Sequence, residues 1–158
     1  MNAQLRLGDW QALQALAAPL RTAVFVEEQG VPAELEWDAD DAVCLHAVLA
    51  AGEGPASATG RLLPAFDAGP DAGYARIGRM AVRAGLRGAG LGAQVLDALL
   101  AAAARRGDLG VLLHAQCSAE GFYARRGFRP RGEVFDEAGI AHVEMTVTFG
   151  EPGGTGPR

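Results

Sequence analysis

The chain has 158 residues, of which 49% are hydrophobic, and its formal net charge is −5. This length fits one domain with a sizeable core, and the acidic balance argues against a nucleic-acid partner, which would favour a basic face. No apolar run approaches the roughly 18 residues of a membrane span, and no secretory signal is visible, so we expect no membrane partner. Cys44 and Cys117 lie in apolar context, which predicts free thiols and a cytoplasmic location.

Taken in chain order, periodicity and turn residues predict alternating strands and helices. A helical pattern follows Asp9, a good cap, and runs to about Glu28, with Pro19 either interrupting it or starting a second helix. Strands are expected at residues 2–7, 43–51, 56–63, 74–82, 110–116, 131–135 and 140–149, and further helices at residues 93–106 and 119–126. The Gly- and Pro-rich residues 150–158 are predicted to be disordered.

An acidic segment at residues 34–41 follows the first helical region. It contains five carboxylates, namely Glu34, Glu36, Asp38, Asp40 and Asp41. A solvated loop is the simplest interpretation, and the alternative is a rim that attracts a cationic substrate.

The stretch around which the chain is organised reads Arg87-Gly88-Ala89-Gly90-Leu91-Gly92 and lies between a strand and a helix. Glycines let backbone N–H groups approach a ligand closely, and the following helix directs its positive end to the same place. We therefore predict a phosphate or pyrophosphate site. A P-loop is excluded because no lysine is present, and the third glycine comes one residue too early for a Rossmann fingerprint.

The spacing of Arg87, Gly90 and Gly92 resembles the acetyl-CoA loop of the GCN5-related N-acetyltransferase (GNAT) family. A second match, Phe122-Tyr123 followed by Gly127-Phe128, is similar to the family's fourth-helix signature. Further stretches resemble the ElaA/YjcF-like branch; they lie at residues 24–32, 45–47, 77–79, 115–116 and 138–142. The resemblance covers residues 2–149. It implies a single α/β (α+β) GNAT domain at residues 1–149, with a mixed, mostly antiparallel sheet flanked by helices, in the order β-α-α-β-β-β-α-β-α-β-β.

The resemblance also implies roles for individual residues. The pantetheine arm would pair with the backbone of Met80, Ala81 and Val82, where this strand splays from the strand at residues 111–116. The pyrophosphate would lie on the loop formed by Arg87, Gly88, Ala89, Gly90, Leu91 and Gly92, and Ser118 is assigned to the cofactor as well. Tyr123 would protonate the departing thiolate; the alternative is that Tyr123 is only a core aromatic.

The acceptor side departs from better-known members of the family. The central strand has no glutamate, so Glu28, His114 and His142 are the candidate bases, and each of them could instead be a solvated or packing residue. Arg79 could hold a substrate carboxylate or phosphate through two hydrogen bonds, or it could pair with Glu27, Glu28 or Glu144. The residues assigned to the acceptor are Glu28, Arg79, Gln116 and His142.

These patterns predict an acetyl-CoA-dependent N-acetyltransferase. The acetyl group would pass to the primary amine of a small molecule bearing a carboxylate or phosphate, by direct attack in a ternary complex. The alternative is a non-catalytic acyl-CoA-binding or sensing module. Three scattered histidines show no ligand spacing, so no metal is expected, and a homodimer is an open possibility.

Overall fold

The computed structural model describes residues 3–150. Its strands are β1 (Gln4–Gly8), β2 (Leu45–Ala50), β3 (Ala58–Leu62), β4 (Tyr74–Val82), β5 (Gly110–Gln116), β6 (Arg129–Glu137) and β7 (Ile140–Thr148). Its α-helices are α1 (Trp10–Arg21), α2 (Ala33–Glu36), α3 (Leu91–Arg106) and α4 (Glu120–Ala124). The predicted order of elements is confirmed. Gly150 ends the described part, so the rest of the predicted disordered tail lies outside it.

The seven strands form a mixed sheet in the order β1-β2-β3-β4-β5-β7-β6. β4 and β5 are parallel, whereas β1 with β2, β2 with β3, β5 with β7 and β6 with β7 are antiparallel. The predicted α/β fold with a mostly antiparallel sheet is therefore confirmed. No helix within residues 3–150 is long and apolar enough to cross a membrane.

The chain divides into two compact units, and each is composed of separate stretches of sequence. Unit 1 contains Met1–Leu63 and Gly78–Leu99, and unit 2 contains Pro64–Ile77 and Leu100–Arg158. β4 therefore contributes residues 74–77 to unit 2 and residues 78–82 to unit 1.

The core of unit 1 forms between α1 and the strands β2 and β3. The Asp9 carboxylate caps α1 by accepting a hydrogen bond from the Ala12 amide at 2.8 Å, as the sequence predicted. One face of α1 then packs with strand residues in a buried cluster of Leu13, Leu16, Ala17, Leu20, Val24, Val48, Ala50, Ala56 and Ala81. Pro19 lies inside α1 rather than at the start of a second helix, and a π-helical segment, Thr22–Glu28, continues the chain.

The core of unit 2 forms on one face of β5 and β7. The residues on this face include the buried Leu113, Ala115, Val143, Met145 and Val147, and Val111 and Leu112 at the start of β5 are buried on both of its faces. β6 and β7 form a hairpin whose turn residues, Ala138 and Gly139, have φ of 55° and 80°. Positive φ at both positions is the geometry of a two-residue hairpin turn, so this predicted turn is confirmed.

The start of β5 has no room for a side chain. A Cβ on Gly110 would lie against the carbonyl oxygen of Val147, 2.7 Å from the Tyr74 ring and 2.9 Å from the Cα of Thr148. This close approach lets β5 pair in register with both β4 and β7.

Candidate active site

The glycine-rich loop at residues 87–92 follows β4 in unit 1 and leads directly into α3. Gly88 and Gly90 have φ of 86° and 83°, a left-handed backbone that side chains disfavour. No atom lies within 4 Å of the position that a Cβ would take at either glycine. The Gly90 carbonyl accepts the first helical hydrogen bond, from the Gln94 amide. The loop therefore presents open backbone at the positive end of a 16-residue helix.

Arg87 ties this loop to the end of the π-helical segment. Its Nη1 and Nη2 donate to the two carboxylate oxygens of Glu28 at 2.5 and 2.7 Å, and its Nε donates to the Val82 carbonyl. The hydrogen bond from Arg87 lowers the pKa of Glu28, and the same bond raises the pKa of Arg87. Three residues predicted for the site, Glu28, Val82 and Arg87, are thus in contact.

Arg79 interrupts the regular geometry of β4. Its φ is 53°, a strained conformation for a residue other than glycine. Its Nε lies 2.9 Å from Oε1 of Glu36, and its Nη2 lies 3.2 Å from Oδ2 of Asp38. Nη2 also donates to the carbonyl of Leu35. Arg79 is therefore paired with carboxylates, but they are different from the three that the sequence suggested.

Those carboxylates belong to a buried ionic cluster that the sequence analysis missed. Arg21 reaches Glu36 and Asp41 at 3.3 and 2.8 Å, and Arg61 reaches Asp41 at 2.9 Å. All four of these side chains are at most 5% exposed. The prediction of a solvated acidic loop is therefore wrong for Glu36 and Asp41, because three arginines neutralise their part of the segment.

Aromatic rings complete the surroundings of Arg21. Its guanidinium carbon lies 5.0 Å from the ring centroid of Trp10 and 4.9 Å from that of Trp37, which fits a cation–π contact with each ring. The signal in the sequence was the pair of arginines, Arg21 and Arg61, placed within apolar runs. Arginine is almost never buried without a partner.

The electrostatics of the cluster differ between its buried and its open members. Burial raises the pKa of Glu36, against the opposing effect of Arg21 and Arg79. Hydrogen bonds from Arg61 lower the pKa of Asp38 to about 2. Desolvation by burial lowers the pKa of Arg79, although the side chain is 27% exposed.

In unit 2, Tyr123 points into the aromatic part of the core. Its side chain is buried, with its ring centroid 5.0 Å from that of Phe122 and 5.8 Å from that of Phe128. Burial raises the pKa of Tyr123 to about 12. The phenol is therefore protonated at neutral pH and can donate a hydrogen bond or a proton.

The other residues predicted in unit 2 lie at the C-terminal end of β5. Gln116 is the last residue of β5 and pairs in register with His142 of β7. A 3₁₀ turn, Cys117–Ala119, contains Ser118, contacts β7 and leads into α4, which contacts β5. Ser118 does not cap α4, because Ala119 occupies the N-cap position.

The three histidines have different surroundings. His46 is buried in unit 1 with Nε2 2.9 Å from the Asp41 carbonyl oxygen, and burial lowers its pKa. In unit 2, the His114 Nδ1 lies 2.9 Å from Oε1 of Glu137, and the His142 Nε2 lies 3.7 Å from Oε2 of the same carboxylate. Glu137 is a potential functional residue that the sequence analysis did not name.

Comparison with known proteins agrees with this architecture. A family model described as an acetyltransferase (GNAT) domain matches residues 58–149. The Bacillus subtilis protein described as "Uncharacterized N-acetyltransferase YjcF" is 39% identical over 80% of this chain and 86% of its own length.

Two crystal structures are also similar. An acyl-CoA N-acyltransferase from Pseudomonas aeruginosa superposes with a TM-score of 0.78 at 33% identity, covering 91% of this chain and 98% of the other. Escherichia coli ElaA superposes with a TM-score of 0.78 at 30% identity over the same shares of the two chains. The chain therefore belongs to the GNAT family, in the branch that includes YjcF and ElaA, and it is an acyltransferase.

Proposed function

We propose that this acyltransferase moves an acetyl group from acetyl-CoA to the primary amine of a small molecule. The amine would attack the thioester directly in a ternary complex. The observation that carries the proposal is the open, left-handed backbone at Gly88 and Gly90, which precedes a long helix and suits a pyrophosphate. The acyl-CoA chemistry itself comes with the family.

The proposed cofactor residues lie chiefly in the glycine-rich loop and at the end of β4. The loop Arg87, Gly88, Ala89, Gly90, Leu91 and Gly92 would hold the pyrophosphate through backbone N–H groups. The Arg87 guanidinium is already engaged by Glu28 and Val82, so its proposed role is to fix the loop. Met80, Ala81 and Val82 would align the pantetheine arm, and Ser118 is proposed as a further cofactor residue.

Tyr123 is the proposed acid. A thioester releases a thiolate, which needs a proton as the C–S bond breaks. A buried phenol with a pKa of about 12 stays protonated until that charge develops beside it. Direct attack is proposed in preference to an acyl-enzyme, and burial raises the pKa of the Cys44 thiol to about 11, which makes this cysteine a poor nucleophile.

The acceptor is proposed to carry an anionic group, most simply a carboxylate. Arg79 uses Nε and Nη2 for its partners, but its Nη1 donates to no described residue. Its side chain is 27% exposed, so this edge is available for one charge-assisted hydrogen bond. Gln116 and His142 are proposed on the acceptor side as well. Glu28 was predicted there too, but both of its carboxylate oxygens are engaged by Arg87, so its proposed role is to hold that residue of the cofactor loop.

The cytoplasm is the proposed location. Both cysteines are free thiols, and free thiols persist in a reducing compartment.

The test is a panel of amines mixed with acetyl-CoA, with release of free thiol and the mass of the product as readouts. The panel pairs amino acids with their amides, and it includes diamines and lysine peptides. We expect the amino acids to be acetylated in preference to their amides and to the peptides. Preferred acetylation of a peptide lysine or a diamine would overturn the proposed acceptor class, and no transfer to any amine would overturn the proposed function.

A further inference from the structure

Acetyl transfer to an amine requires a group that removes a proton from nitrogen. The described residues leave few groups for this role. Glu28 is held by Arg87, which lowers its pKa, and Glu36 is buried between arginines. His46 is 1% exposed and bonded to a backbone carbonyl. His114 and His142 are the remaining imidazoles in the part of the chain that the structure describes.

Both histidines lie on the polar face of the unit 2 sheet. Register pairs Gln116 with His142, and Phe135 with His142 on the other side. The Phe135 ring meets His114 edge-on at 5.0 Å and stacks on His142 at 6.0 Å between centroids. The opposite face of β5 and β7 is the apolar core, so this face is where a polar reaction could take place.

The two histidines differ in the hydrogen bonds that fix them. The His142 Nδ1 lies 2.7 Å from the Ile140 carbonyl oxygen, which can only accept. The Nδ1 proton is therefore present, and in the neutral ring Nε2 carries the lone pair. The His114 Nδ1 instead lies near both Glu137 Oε1 and the Arg76 Nη2, at 2.9 and 3.2 Å.

Glu137 links His142 to solvent. Its Oε2 lies 3.7 Å from the His142 Nε2, which is too long for a hydrogen bond but close enough to stabilise an imidazolium. The Glu137 side chain is 44% exposed, whereas that of His142 is 8% exposed. A proton taken up by His142 therefore has a neighbouring carboxylate that can pass it to water.

The other charged groups on this face are already paired. The Arg131 Nη2 lies 2.8 Å from Glu144 Oε1, and Arg131 also binds Asp71. Glu144 Oε2 lies 3.6 Å from the His114 Nε2. His114 is thus enclosed by charged partners at both nitrogens, whereas His142 has Glu137 alone.

We propose that His142 is the general base of the transfer and that Glu137 is its positioning residue. This inference rests on the proposed function. The amine nitrogen forms a bond to the thioester carbon, and the C–S bond breaks with its electron pair on sulfur. Tyr123 gives its proton to the sulfur, and the nitrogen gives one proton to His142 Nε2. That proton then leaves through Glu137 to water, and the phenol is reprotonated from water.

The test is the pH dependence of kcat, measured with an acceptor amine that titrates outside pH 5–8. His142→Asn is the main variant, because its amide can still donate to the Ile140 carbonyl while Nε2 is removed. We expect kcat to fall by about 10²–10⁴-fold and its rise with pH to disappear. His142→Gln serves as a second variant if the first loses its melting transition.

His114→Asn is the matched control, because it keeps a donor near Glu137 and removes the other imidazole. It should retain the rise of kcat with pH. Glu137→Gln should lower kcat without changing the KM for acetyl-CoA, and Glu137→Asp should restore part of the loss.

Persistence of the pH-dependent rise in both folded His142 variants, or its loss in His114→Asn, would overturn the inference. Failure of the wild-type protein to acetylate any amine would instead count against the proposed function.

Discussion

Arg79 and Glu36 form an ion pair in which one partner is strained and the other is buried. Nε of Arg79 lies 2.9 Å from Oε1 of Glu36, whose side chain is 2% exposed, while the Arg79 backbone has a φ of 53°. A left-handed conformation costs a non-glycine residue about 1–3 kcal/mol. The ion pair joins the irregular backbone of β4 to a carboxylate about 40 residues earlier in the chain, and removing one partner would leave the other buried charge without compensation.

Removing the charge of Glu36 should therefore destabilise the fold. Glu36→Gln keeps the shape of the side chain but leaves Arg21 and Arg79 without their shared carboxylate. We expect the free energy of unfolding to fall by about 3 kcal/mol in denaturant titrations. Glu34→Gln, at an exposed position of the same short helix, is the control and should change stability by less than about 0.5 kcal/mol. Equal effects of the two substitutions would contradict the cluster's role.

Asp38 should contribute to stability in a defined pH window. Its pKa is lowered from the ordinary 3.8 to about 2 by Arg61, so the unfolded chain binds more protons between these values. This contribution is present above about pH 4 and is lost as pH falls toward 2. Asp38→Asn should flatten the decline of unfolding free energy in that range. Asp40→Asn, at 4.0 Å from Arg61, should keep the wild-type slope.

Substitution of Arg79 should weaken binding of the acceptor and leave binding of acetyl-CoA unchanged. Arg79→Met removes the free Nη1 edge, so the KM of an anionic acceptor should rise by roughly tenfold, the scale of a charged hydrogen bond. The dissociation constant of acetyl-CoA should stay the same. The neutral amide of the same acceptor provides the control, because its KM should respond little. If the KM values of the two acceptors rise equally, Arg79 does not contact the anionic group.

The glycine loop should lose acetyl-CoA when it gains a negative charge. Gly90→Asp places a carboxylate where the pyrophosphate is proposed to lie, and calorimetry should show binding abolished with a retained melting transition. Gly90→Asn has nearly the same size and the same tolerance of positive φ, but no charge. It should retain measurable binding. Unchanged affinity in the Asp variant would remove the loop from the site.

Removing the Tyr123 hydroxyl group should lower the turnover rate. Tyr123→Phe keeps the packing against Phe122 and Phe128, and we expect kcat to fall by about 10²–10⁴-fold with little change in acetyl-CoA affinity. Tyr74→Phe is the matched control, because its hydroxyl only meets Thr148 at 2.7 Å. It should lower stability by about 1 kcal/mol without a comparable loss of kcat. Wild-type turnover in Tyr123→Phe, with chemistry rate-limiting, would make Tyr123 a packing residue.

Local patterns in the sequence predict most of the fold. β4 and β5 have the bounds that their apolar runs suggest, and the turn at Ala138 and Gly139 follows from the hairpin signal. These features depend on residues close together in the chain. Pro19 was expected to interrupt the helix or to start a second one, but it lies inside α1, and the π-helical segment begins only at Thr22.

Long-range charge pairing could not be predicted in the same way. Glu36 and Asp41 look like surface carboxylates until folding brings Arg21 and Arg61 to them from other elements. The same holds for Glu137, which lies near two histidines only after β7 pairs with both β5 and β6. Sequence separation hides such partners, because composition and periodicity report only the near neighbours of a residue.

Rapid mixing of the protein with acetyl-CoA, followed by free thiol, tests direct acetyl transfer to an amine more directly than any substitution. The account predicts that thiol appears only when an acceptor amine is present, continues over many turnovers, and matches the N-acetyl product one for one. A burst of thiol equal to the protein concentration without acceptor would show an acyl-enzyme. Absence of thiol with every acceptor, despite acetyl-CoA binding, would contradict catalysis of this transfer.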